Sequence, residues 1–375
     1  MSEEREPPRV TLLCASLDPG RGGQERSIRE YALELVRLGA VVTIAAGRPA
    51  PLPGVEVVAL RPHGRGMAGV LAAAEAAAAA ARDTSVVHAM LPVPSAHFYM
   101  PRGGIHREAY LRSSEAHATG MGRRVSRLLH PLNAARRALL KAEKDILEKA
   151  AGPVLVALSR GVADAARRHH GLPEERIRVV SGGVGVGRHD PSEETRARVR
   201  ADLGIPPDAV MFLALAHNHR LKGVPQLMRA AASLPAVRGF KVVILGGEPG
   251  PSSERVMRLG AREDAAPFLQ AADVLVHPTF YDPCSRALLE GAAAGKPLIA
   301  SSRDGAVDVV APACLHILRD PRDVNDLARA MLLALDADRR ARSAAAAGSL
   351  REAVSMKRHA RRMLDLFRRS ALSAP

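Results

Sequence analysis

The sequence contains no tryptophan, and phenylalanine and tyrosine together bring the aromatic share to only 3% of its 375 residues. Its three cysteines, Cys14, Cys284 and Cys314, are odd in number and scattered. The sequence therefore predicts neither a disulfide framework nor a cysteine metal site, and it favours a reducing, cytoplasmic environment. With so few aromatic residues, the hydrophobic cores have to be built from alanine, valine and leucine, and a hydrophobic content of 47% is ample for two cores.

Long hydrophobic runs are also missing. No stretch of 18 apolar residues occurs, and the alanine-rich segment 67–81 is shorter and interrupted by Glu75. The charged first residues lack the apolar core of a signal peptide. We therefore expect a soluble cytoplasmic protein that is at most peripheral to the inner membrane leaflet.

Basic residues dominate the charge, with a formal net charge of +15 and a pI near 10.7. Such a charge favours nucleic acid or an anionic membrane as a partner. However, only seven of the 54 basic residues are lysines. An excess of arginine and alanine together is typical of a biased gene composition, so the charge alone does not choose between these explanations.

Strand patterns alternate with helix patterns along both halves of the chain, which indicates parallel sheets. In the first half, strand patterns cover residues 10–16, 41–46, 55–60, 85–89, 154–159 and 176–181, and helix patterns cover 24–38, 67–82 and 161–170. In the second half, strand patterns cover 210–216, 240–246, 273–277 and 297–301, and helix patterns cover 223–234, 265–271, 283–294, 322–335 and 350–368. The length predicts two domains. We place their boundary in the glycine-rich stretch 182–187, giving domains at 1–183 and 184–349 of the α/β class.

The segment from His277 to Gly291 is the most informative part of the chain. A strand pattern ends at Pro278, and Asp282 followed by Pro283 predicts the start of a helix, because Asp is a preferred N-cap and Pro is favoured at the first helical position. Glu290 follows about 12 Å further along the axis. Amides at the amino end of a helix bind phosphates, and a carboxylate at each end could bind sugar hydroxyls. This layout predicts a nucleotide-sugar site, although N-capping alone would also explain Asp282.

A second candidate segment is the loop 216–223, which follows one strand pattern and precedes a helix pattern. Arg220 and Lys222 are therefore expected at the carboxyl edge of the sheet, where ligands of such sheets bind. A fixed cation there would stabilise the charge that develops on a departing diphosphate. The alternative is a solvated lysine before a helix, but the position of the loop ahead of the acidic helix favours a function. The glycine loop 20–23 after the first strand pattern would similarly let a phosphate or an acceptor approach the backbone. It does not match the dinucleotide fingerprint, which disfavours a nicotinamide oxidoreductase.

The two acids separated by seven residues, followed by Gly291 to Ala300, resemble the donor site of retaining glycosyltransferases with two Rossmann-like domains facing across a cleft, the GT-B fold. The likeness runs from Thr11 to about Phe367, and it is greatest to the bacterial lipopolysaccharide core glucosyltransferases. It implies a retaining hexosyltransferase without a cofactor. We also predict that no metal ion is needed, because the sequence shows no pair of acids for a divalent ion and because Lys222 and helix amides can carry the charge. The implied donor is a nucleotide sugar such as UDP-glucose, and the implied acceptor is a lipopolysaccharide-type or other lipid-linked glycan. It also implies that residues 350–375 cross back to the first domain.

The resemblance assigns roles to residues of this sequence. It implies that Lys222 and Asp282 are catalytic. The residues that it implies for donor binding are Gly22, Gly23, His217, Arg220, Ser285, Arg286, Ala287, Leu288 and Glu290, with Glu290 on the ribose hydroxyls. For the acceptor side, we ourselves predict His88, Arg102, Gly103, Gly104 and His106.

The chain departs from the family pattern at three places. Asp282 replaces the usual glutamate, and its side chain is one bond shorter. Met90 stands where many relatives carry a histidine, although the lipopolysaccharide glucosyltransferases lack that histidine too; His88, two positions earlier, is either catalytic or a buried strand residue. The stretch 252–262 is too short for the helix and strand that usually follow the loop at Gly246.

The basic amphipathic segment 111–150 has three interpretations: a solvated helical face, a nucleic-acid patch or a membrane-surface element. Aromatic residues for base stacking are absent apart from Tyr110, so we predict no nucleic-acid partner. An anionic leaflet suits an enzyme that acts on a lipid-linked acceptor. The rival functions are an inactive glycan- or membrane-binding scaffold on the same fold, and a nucleotide-sugar epimerase or phosphorylase-like enzyme.

Overall fold

The computed structural model describes residues 6–62, 64–117, 119–129, 133–235 and 239–371. The chain forms two compact units. The N-terminal unit comprises Met1–Ser114, Met121–Ser181 and Met356–Pro375, and the C-terminal unit comprises Glu115–Gly120 and Gly182–Ser355. Among the helices that the structure describes, none is long and apolar enough to cross a bilayer.

The N-terminal unit is built on a seven-stranded parallel sheet with the order β3-β2-β1-β4-β5-β6-β7. Its strands are β1 Arg9–Cys14, β2 Val41–Ala46, β3 Glu56–Ala59, β4 Val86–Ala89, β5 Phe98–Tyr99, β6 Val154–Ala157 and β7 Ile177–Val179. Its helices are α1 Gly23–Arg37, α2 Gly66–Ala81, α3 His106–Glu115, α4 Gly120–Leu129, α5 Ala134–Leu147 and α6 Arg160–His170. In the central register, Leu12 of β1 lies between Ile44 of β2 and His88 of β4.

The C-terminal unit is built on a six-stranded parallel sheet with the order β10-β9-β8-β11-β12-β13. Its strands are β8 Val210–Leu215, β9 Phe240–Leu245, β10 Val256–Gly260, β11 Val274–His277, β12 Leu298–Ser301 and β13 Cys314–Leu318. Its helices are α7 Glu193–Asp202, α8 Val224–Ser233, α9 Ala266–Ala271, α10 Arg286–Ala293, α11 Val307–Val310, α12 Val324–Leu333 and α13 Ala337–Ser349. The final helix, α14 Met356–Ala371, packs on α1 of the N-terminal unit. The predicted α/β class with two Rossmann-like sheets is confirmed.

Small aliphatic residues fill both cores, as the composition predicts. In the C-terminal unit, Met211, Leu213, Leu275 and Leu288 are fully buried among many alanines. The largest fully buried side chains of the described residues include Tyr31, Tyr99, Phe98, Phe212, Phe280 and Phe367. The few aromatic residues are therefore concentrated inside the protein.

The basic segment 111–150 divides into parts with different surroundings; residues 118 and 130–132 lie outside the described part of the chain. Helix α5 buries Ile146 and Leu147 against the sheet. Helix α4 instead exposes Met121, Val125 and Leu128, which are 70%, 43% and 75% accessible. Only part of the segment therefore presents an apolar face to solvent.

The connection after β9 is as short as the sequence suggests. Strand β10 occupies Val256–Gly260, and the described residues between β9 and β10 form no helix. The segment 252–262, which is too short for both a helix and a strand, therefore forms only the strand. A parallel pair of strands usually needs a longer crossover, which explains why the pattern at 256–260 was not predicted as a strand.

Candidate functional site

Two loops of the C-terminal unit meet at the carboxyl edge of its sheet. Strand β8 leads into residues 216–223, named here the β8 loop, and the adjacent β11 leads into residues 278–285, named the β11 loop. The carbonyl oxygen of Leu221 accepts hydrogen bonds from the N–H of Phe280 at 2.8 Å and the hydroxyl of Thr279 at 3.1 Å. These bonds hold the two loops that contain Lys222 and Asp282 against each other.

Gly223 makes the close approach of the two loops possible. Its φ is +70°, and a Cβ at this position would lie 2.1 Å from the carbonyl oxygen of Pro278. A side chain here would therefore have to displace backbone rather than a flexible side-chain end. The close packing of the two loops therefore explains why glycine follows Lys222 in the β8 loop.

Replacing Gly223 by alanine should lower the free energy of unfolding by more than about 2 kcal/mol, because backbone strain and a backbone clash add. Gly295→Ala is the matched control, since Gly295 has a φ of +67° but a Cβ added there would meet no atom within 4 Å. It should cost only about 1 kcal/mol, the penalty of the left-handed conformation alone. Urea unfolding followed by circular dichroism measures both, and equal losses would contradict the steric role of Gly223.

Lys222 and Asp282 are brought together by these loops. The ammonium group of Lys222 forms an ion pair with Oδ2 of Asp282, and the two side chains are only 18% and 17% exposed. The other carboxylate oxygen, Oδ1, accepts a hydrogen bond from the N–H of Cys284 at 3.1 Å. The two residues that the resemblance implies as catalytic are therefore direct neighbours.

Helix α10 begins at Arg286, so the predicted start at Asp282 and Pro283 is wrong. The N-cap is Ser285, whose hydroxyl accepts a hydrogen bond from the N–H of Leu288 at 3.4 Å. Asp282 is instead engaged by Lys222 and by the turn to Cys284. The predicted donor residues 285–288, including Ala287, form the first turn of the helix.

Glu290 lies in the middle of α10, so the two carboxylates do not mark the two ends of one helix as predicted. Its Oε1 accepts hydrogen bonds from Nε of Arg286 at 3.2 Å and from Nη2 at 2.8 Å. Next to it, Gly291 lets the helix pack closely on the sheet, since a Cβ would lie 2.6 Å from Leu275 and 2.8 Å from Leu298. Arg286 and Glu290, two predicted donor-binding residues, therefore form a pair on one face of the helix.

A buried acid–histidine pair, which the sequence did not reveal, lies next to Asp282. His277 ends β11, Asp304 follows β12, and each is 2% exposed. Nε2 of His277 lies 3.5 Å from Oδ2 of Asp304. Burial and the nearby charge of Lys222 lower the pKa of His277 to about 3, so its imidazole is neutral at pH 7. Burial and the negative charge of Asp282 raise the pKa of Asp304 to about 7.

These three side chains have the chemistry of metal ligands, with one ligand-type atom of each of His277, Asp282 and Asp304 within 4.8 Å of the others. However, the Asp282 carboxylate already pairs with the ammonium group of Lys222. A divalent ion would have to share this carboxylate with a mostly buried cation, which is electrostatically unfavourable. The positive charge beside Asp282 in this structure is the ammonium group of Lys222.

The remaining polar residues of the β8 loop differ in exposure. His217 and Arg220, predicted to bind the donor, are exposed to solvent. His219, which was not predicted, links the loop to the connection after β9: its Nε2 lies 2.8 Å from the carbonyl oxygen of Gly246, and Nη2 of Arg258 lies 3.3 Å from its Nδ1. Because a carbonyl can only accept, Nε2 carries the proton. His219 thus holds the β8 loop in place.

In the N-terminal unit, the glycine pair opens helix α1, with Gly22 as its N-cap and Gly23 as its first residue. Nη1 of Arg102 donates a hydrogen bond to the hydroxyl of Ser27 on the same helix at 2.9 Å. A Cβ added to Gly103 would lie 3.9 Å from Gln24. Two segments predicted to face the substrates therefore lie side by side within this unit.

The other predicted acceptor residues of this unit form the turn before α3. Gly104 adopts a φ of +74°, and its N–H donates to the carbonyl oxygen of Pro101 at 2.9 Å. The backbone N–H of His106 donates to Oε2 of the buried Glu143 at 2.8 Å. His106 itself is partly exposed. The turn from Arg102 to His106 is therefore fixed by backbone hydrogen bonds and keeps partly exposed side chains.

His88 lies inside the core of the N-terminal unit. It is fully buried, its Nδ1 lies 3.2 Å from the hydroxyl of Tyr31, and its ring packs edge-on against Phe367 at 5.5 Å. Burial, the positive charge of Arg102 and the neighbouring His359 lower the pKa of His88 well below its usual value, so the imidazole is neutral. Of the two interpretations of His88, the buried strand residue fits this position, and we do not carry His88 into the acceptor site.

Two family models match the chain. The model described as Glycosyltransferase Family 4 matches residues 21–188, and the model described as Glycosyl transferases group 1 matches residues 207–337. The second match includes both loops and helix α10. The two models together cover most of the chain, which therefore belongs to the group 1 glycosyltransferases of the GT-B fold.

Curated relatives match parts of the chain. It is 33% identical over 174 residues to the D-inositol 3-phosphate glycosyltransferase of Streptomyces bingchenggensis, which covers 40% of this chain and 38% of that protein. The chain spans less than two thirds of the length of the curated relatives that it matches.

Solved structures match nearly the whole chain. WaaG, a glycosyltransferase involved in lipopolysaccharide biosynthesis, has a TM-score of 0.76 at 19% identity, with 95% of this chain and 99% of that chain covered. Anabaena HepE in complex with UDP-glucose has a TM-score of 0.68 at 17% identity, with 96% and 99% covered. At these identities the likeness establishes the shared GT-B fold.

Proposed function

We propose that the protein transfers a hexose, most simply glucose, from a UDP-linked donor to a lipopolysaccharide-type or other lipid-linked glycan. The observation that carries the proposal is the ion pair of Lys222 and Asp282 beside the first turn of α10, with Arg286 and Glu290 on that helix. The choice of donor and acceptor is supported by two neighbours of the same fold, HepE, which was solved with UDP-glucose, and WaaG, which acts in lipopolysaccharide biosynthesis.

In this proposal Lys222 and the amino end of α10 bind the diphosphate. The bond between the sugar and the diphosphate breaks with negative charge developing on the leaving group, and a fixed ammonium group and helix amides stabilise that charge more in the transition state than in the ground state. The ammonium group must then turn from the carboxylate of Asp282 towards the phosphates. Asp282 becomes available to accept hydrogen bonds from the hydroxyls of the donor sugar.

Glu290 has the chemistry to bind the ribose of the nucleotide. A carboxylate accepts two hydrogen bonds from vicinal hydroxyls, and its pairing with Arg286 holds it in a fixed orientation. The exposed His217 and Arg220 on the β8 loop add further hydrogen-bond donors for the phosphates. We propose retention of the anomeric configuration from the family resemblance, and independence from metal ions because Lys222 supplies the cation.

The proposed acceptor residues are Arg102, Gly103, Gly104 and His106 of the N-terminal unit, with Gly22 and Gly23 beside them. We also propose that residues 111–150 bind an anionic membrane surface as a peripheral contact. Helix α4 supports this, because it exposes Met121, Val125 and Leu128 and also carries arginines. Each basic contact to an anionic leaflet contributes about 1 kcal/mol, and apolar side chains can enter the boundary region.

Purified protein with UDP-glucose and a lipid-linked glycan in anionic vesicles should release UDP and glucosylate the lipid. The rate should be unchanged by EDTA, and it should fall when the same acceptor is presented in neutral vesicles or at high salt, because surface charges are screened. The anomeric configuration of the new linkage, read by NMR, tests retention.

Each component of the proposal has its own failing result. Turnover of the nucleotide sugar without any acceptor would favour an epimerase, and no turnover despite UDP binding would favour an inactive scaffold. Loss of activity in EDTA with recovery in Mn²⁺ would overturn the assignment of the cation to Lys222. Equal transfer rates on neutral and anionic vesicles would contradict the proposed contact of residues 111–150 with an anionic membrane.

A further inference from the structure

Asp304 joins the start of α10 to the loop after β12. Its Oδ1 accepts hydrogen bonds from the N–H of Ser285, the N-cap of α10, at 3.1 Å and from the N–H of Ala306 at 2.9 Å. The backbone N–H of Gly305 donates to the carbonyl oxygen of Asp282 at 2.9 Å, and the residues 282 and 304 form a parallel bridge. The position of the helix end that would face the diphosphate thus depends on Asp304.

The second oxygen of Asp304 has a different partner. Oδ2 faces Nε2 of His277 at 3.5 Å, and neither atom forms a hydrogen bond with any residue that the structure describes. Two acceptors cannot satisfy each other, so this buried contact needs a proton between them. Burial and Lys222 disfavour the charged form of His277, so its imidazole is neutral and carries a single proton, on either ring nitrogen. The contact is therefore satisfied in either of two ways: Nε2–H donates to the carboxylate of Asp304, or the neutral acid of Asp304 donates to an unprotonated Nε2.

The charged and titratable groups around Asp304 come from four elements or loops. They are His277 of β11, Asp282 of the β11 loop, Lys222 of the β8 loop and Cys314 of β13, whose thiol has its pKa raised by burial and by Asp304. Lys222 favours the carboxylate form of Asp304, and Asp282 favours the neutral acid. Asp282 has the larger of these two influences, so burial and Asp282 together raise the pKa of Asp304.

We propose that Asp304 is a positioning residue of the donor site and that it takes up a proton from solvent when a nucleoside diphosphate binds. The inference rests on the proposed function of this site. The diphosphate adds negative charge and draws Lys222 away from Asp282, and both changes favour the neutral form of Asp304. The proton ends on Oδ2, which then donates to Nε2 of the neutral imidazole, while the imidazole proton moves to Nδ1. Oδ1 continues to accept from the amides of Ser285 and Ala306.

The test is the number of protons exchanged when UDP binds, measured by calorimetry in two buffers with different ionisation enthalpies. If binding raises the pKa of Asp304 by one unit, the wild-type protein takes up about half a proton near pH 7.5, and the Kd for UDP rises by up to about tenfold from pH 6.5 to 8.5. The sign follows from linkage: the ligand that favours the protonated form binds more weakly as pH rises.

The matched variant is Asp304→Asn. Its side-chain oxygen still accepts from both amides, and its NH₂ group permanently donates to His277 without titrating. At pH 6.5 it should bind UDP with the same Kd as the wild type. It should take up fewer protons on binding than the wild type, and the difference belongs to Asp304, because protons exchanged by UDP itself are the same for both proteins. Asp304→Ala, which loses both amide contacts, should raise KM for the donor severalfold, and only asparagine should restore it.

The outcomes separate the inference from the function that it assumes. Equal proton numbers for the wild type and Asp304→Asn would overturn the inference while UDP binding remained. If the variant does not fold, the wild-type measurement alone decides. The inference is overturned if the complex takes up no protons beyond those that UDP itself exchanges. Failure of UDP to bind the wild type at all would instead overturn the proposed function.

Discussion

Lys222→Ala should lower kcat with a nucleotide sugar by about 100- to 1,000-fold, the usual loss when one group that stabilises a developing anion is removed. The reason is that the ammonium group beside Asp282 is the charge best placed to meet a leaving diphosphate at the amino end of α10. Initial-rate measurements of UDP release, with the acceptor saturating, give the value. Lys222→Arg should keep part of the activity, because it retains the charge but not the position.

Two controls separate chemistry from folding. Lys357→Ala removes an exposed lysine of α14 and should leave kcat unchanged. Circular dichroism of Lys222→Ala should show native secondary structure, since the variant removes one side chain of a mostly buried pair rather than core packing. Full activity in Lys222→Ala would reject this lysine as the cation of the site.

Glu290→Gln should weaken UDP binding roughly 10- to 100-fold, the value of about 1.5–3 kcal/mol for hydrogen bonds to a charged group. Glutamine preserves the size of the side chain, and its carbonyl oxygen can still accept from Arg286, so the helix should keep its packing. Isothermal calorimetry with UDP measures the loss. Asp326→Asn is the matched control, because it removes an acid–arginine pair from α12, a helix without predicted site residues.

A modified ligand assigns the contact to the ribose. Wild-type protein should bind 2′-deoxy-UDP about as weakly as Glu290→Gln binds UDP. The losses in binding free energy from the variant and from the modified ligand should not add when the two are combined, because both remove the same hydrogen bond. If the two losses in binding free energy add fully, Glu290 does not contact the ribose.

The alternation of strands and helices was predictable because most strands are short apolar runs and a helix follows most of them. Strands β8 and β11, which position Lys222 and Asp282, were identified almost to the residue. The family resemblance was equally informative, since it depends on spacing within a single strand–loop–helix unit. Local patterns therefore located the two loops at the same edge of one sheet.

The start of α10 could not be decided locally. Asp282 and Ser285 are both good N-caps, and the sequence also placed a proline after Asp282. The choice depends on Lys222, 60 positions earlier in the chain, which pairs with Asp282 and leaves capping to Ser285. A contact at that sequence distance has no signature in a local pattern.

The pair of His277 and Asp304 was missed for the same reason. His277 ends β11, whereas Asp304 lies in the loop after β12, and only the parallel pairing of these two strands brings the side chains together. A histidine at a strand end and an aspartate before a glycine are each common. Only the structure shows that the buried Nε2 of His277 and Oδ2 of Asp304 face each other.

The concentration of the few aromatic residues in the interior has a practical consequence. A chain without indole groups has no intrinsic tryptophan emission, so any tryptophan introduced by substitution becomes the sole emitter of its kind. Tyr281, in the β11 loop, is a partly exposed aromatic position only one residue from Asp282. A Tyr281→Trp protein would report nucleotide binding as a change in a single emission band.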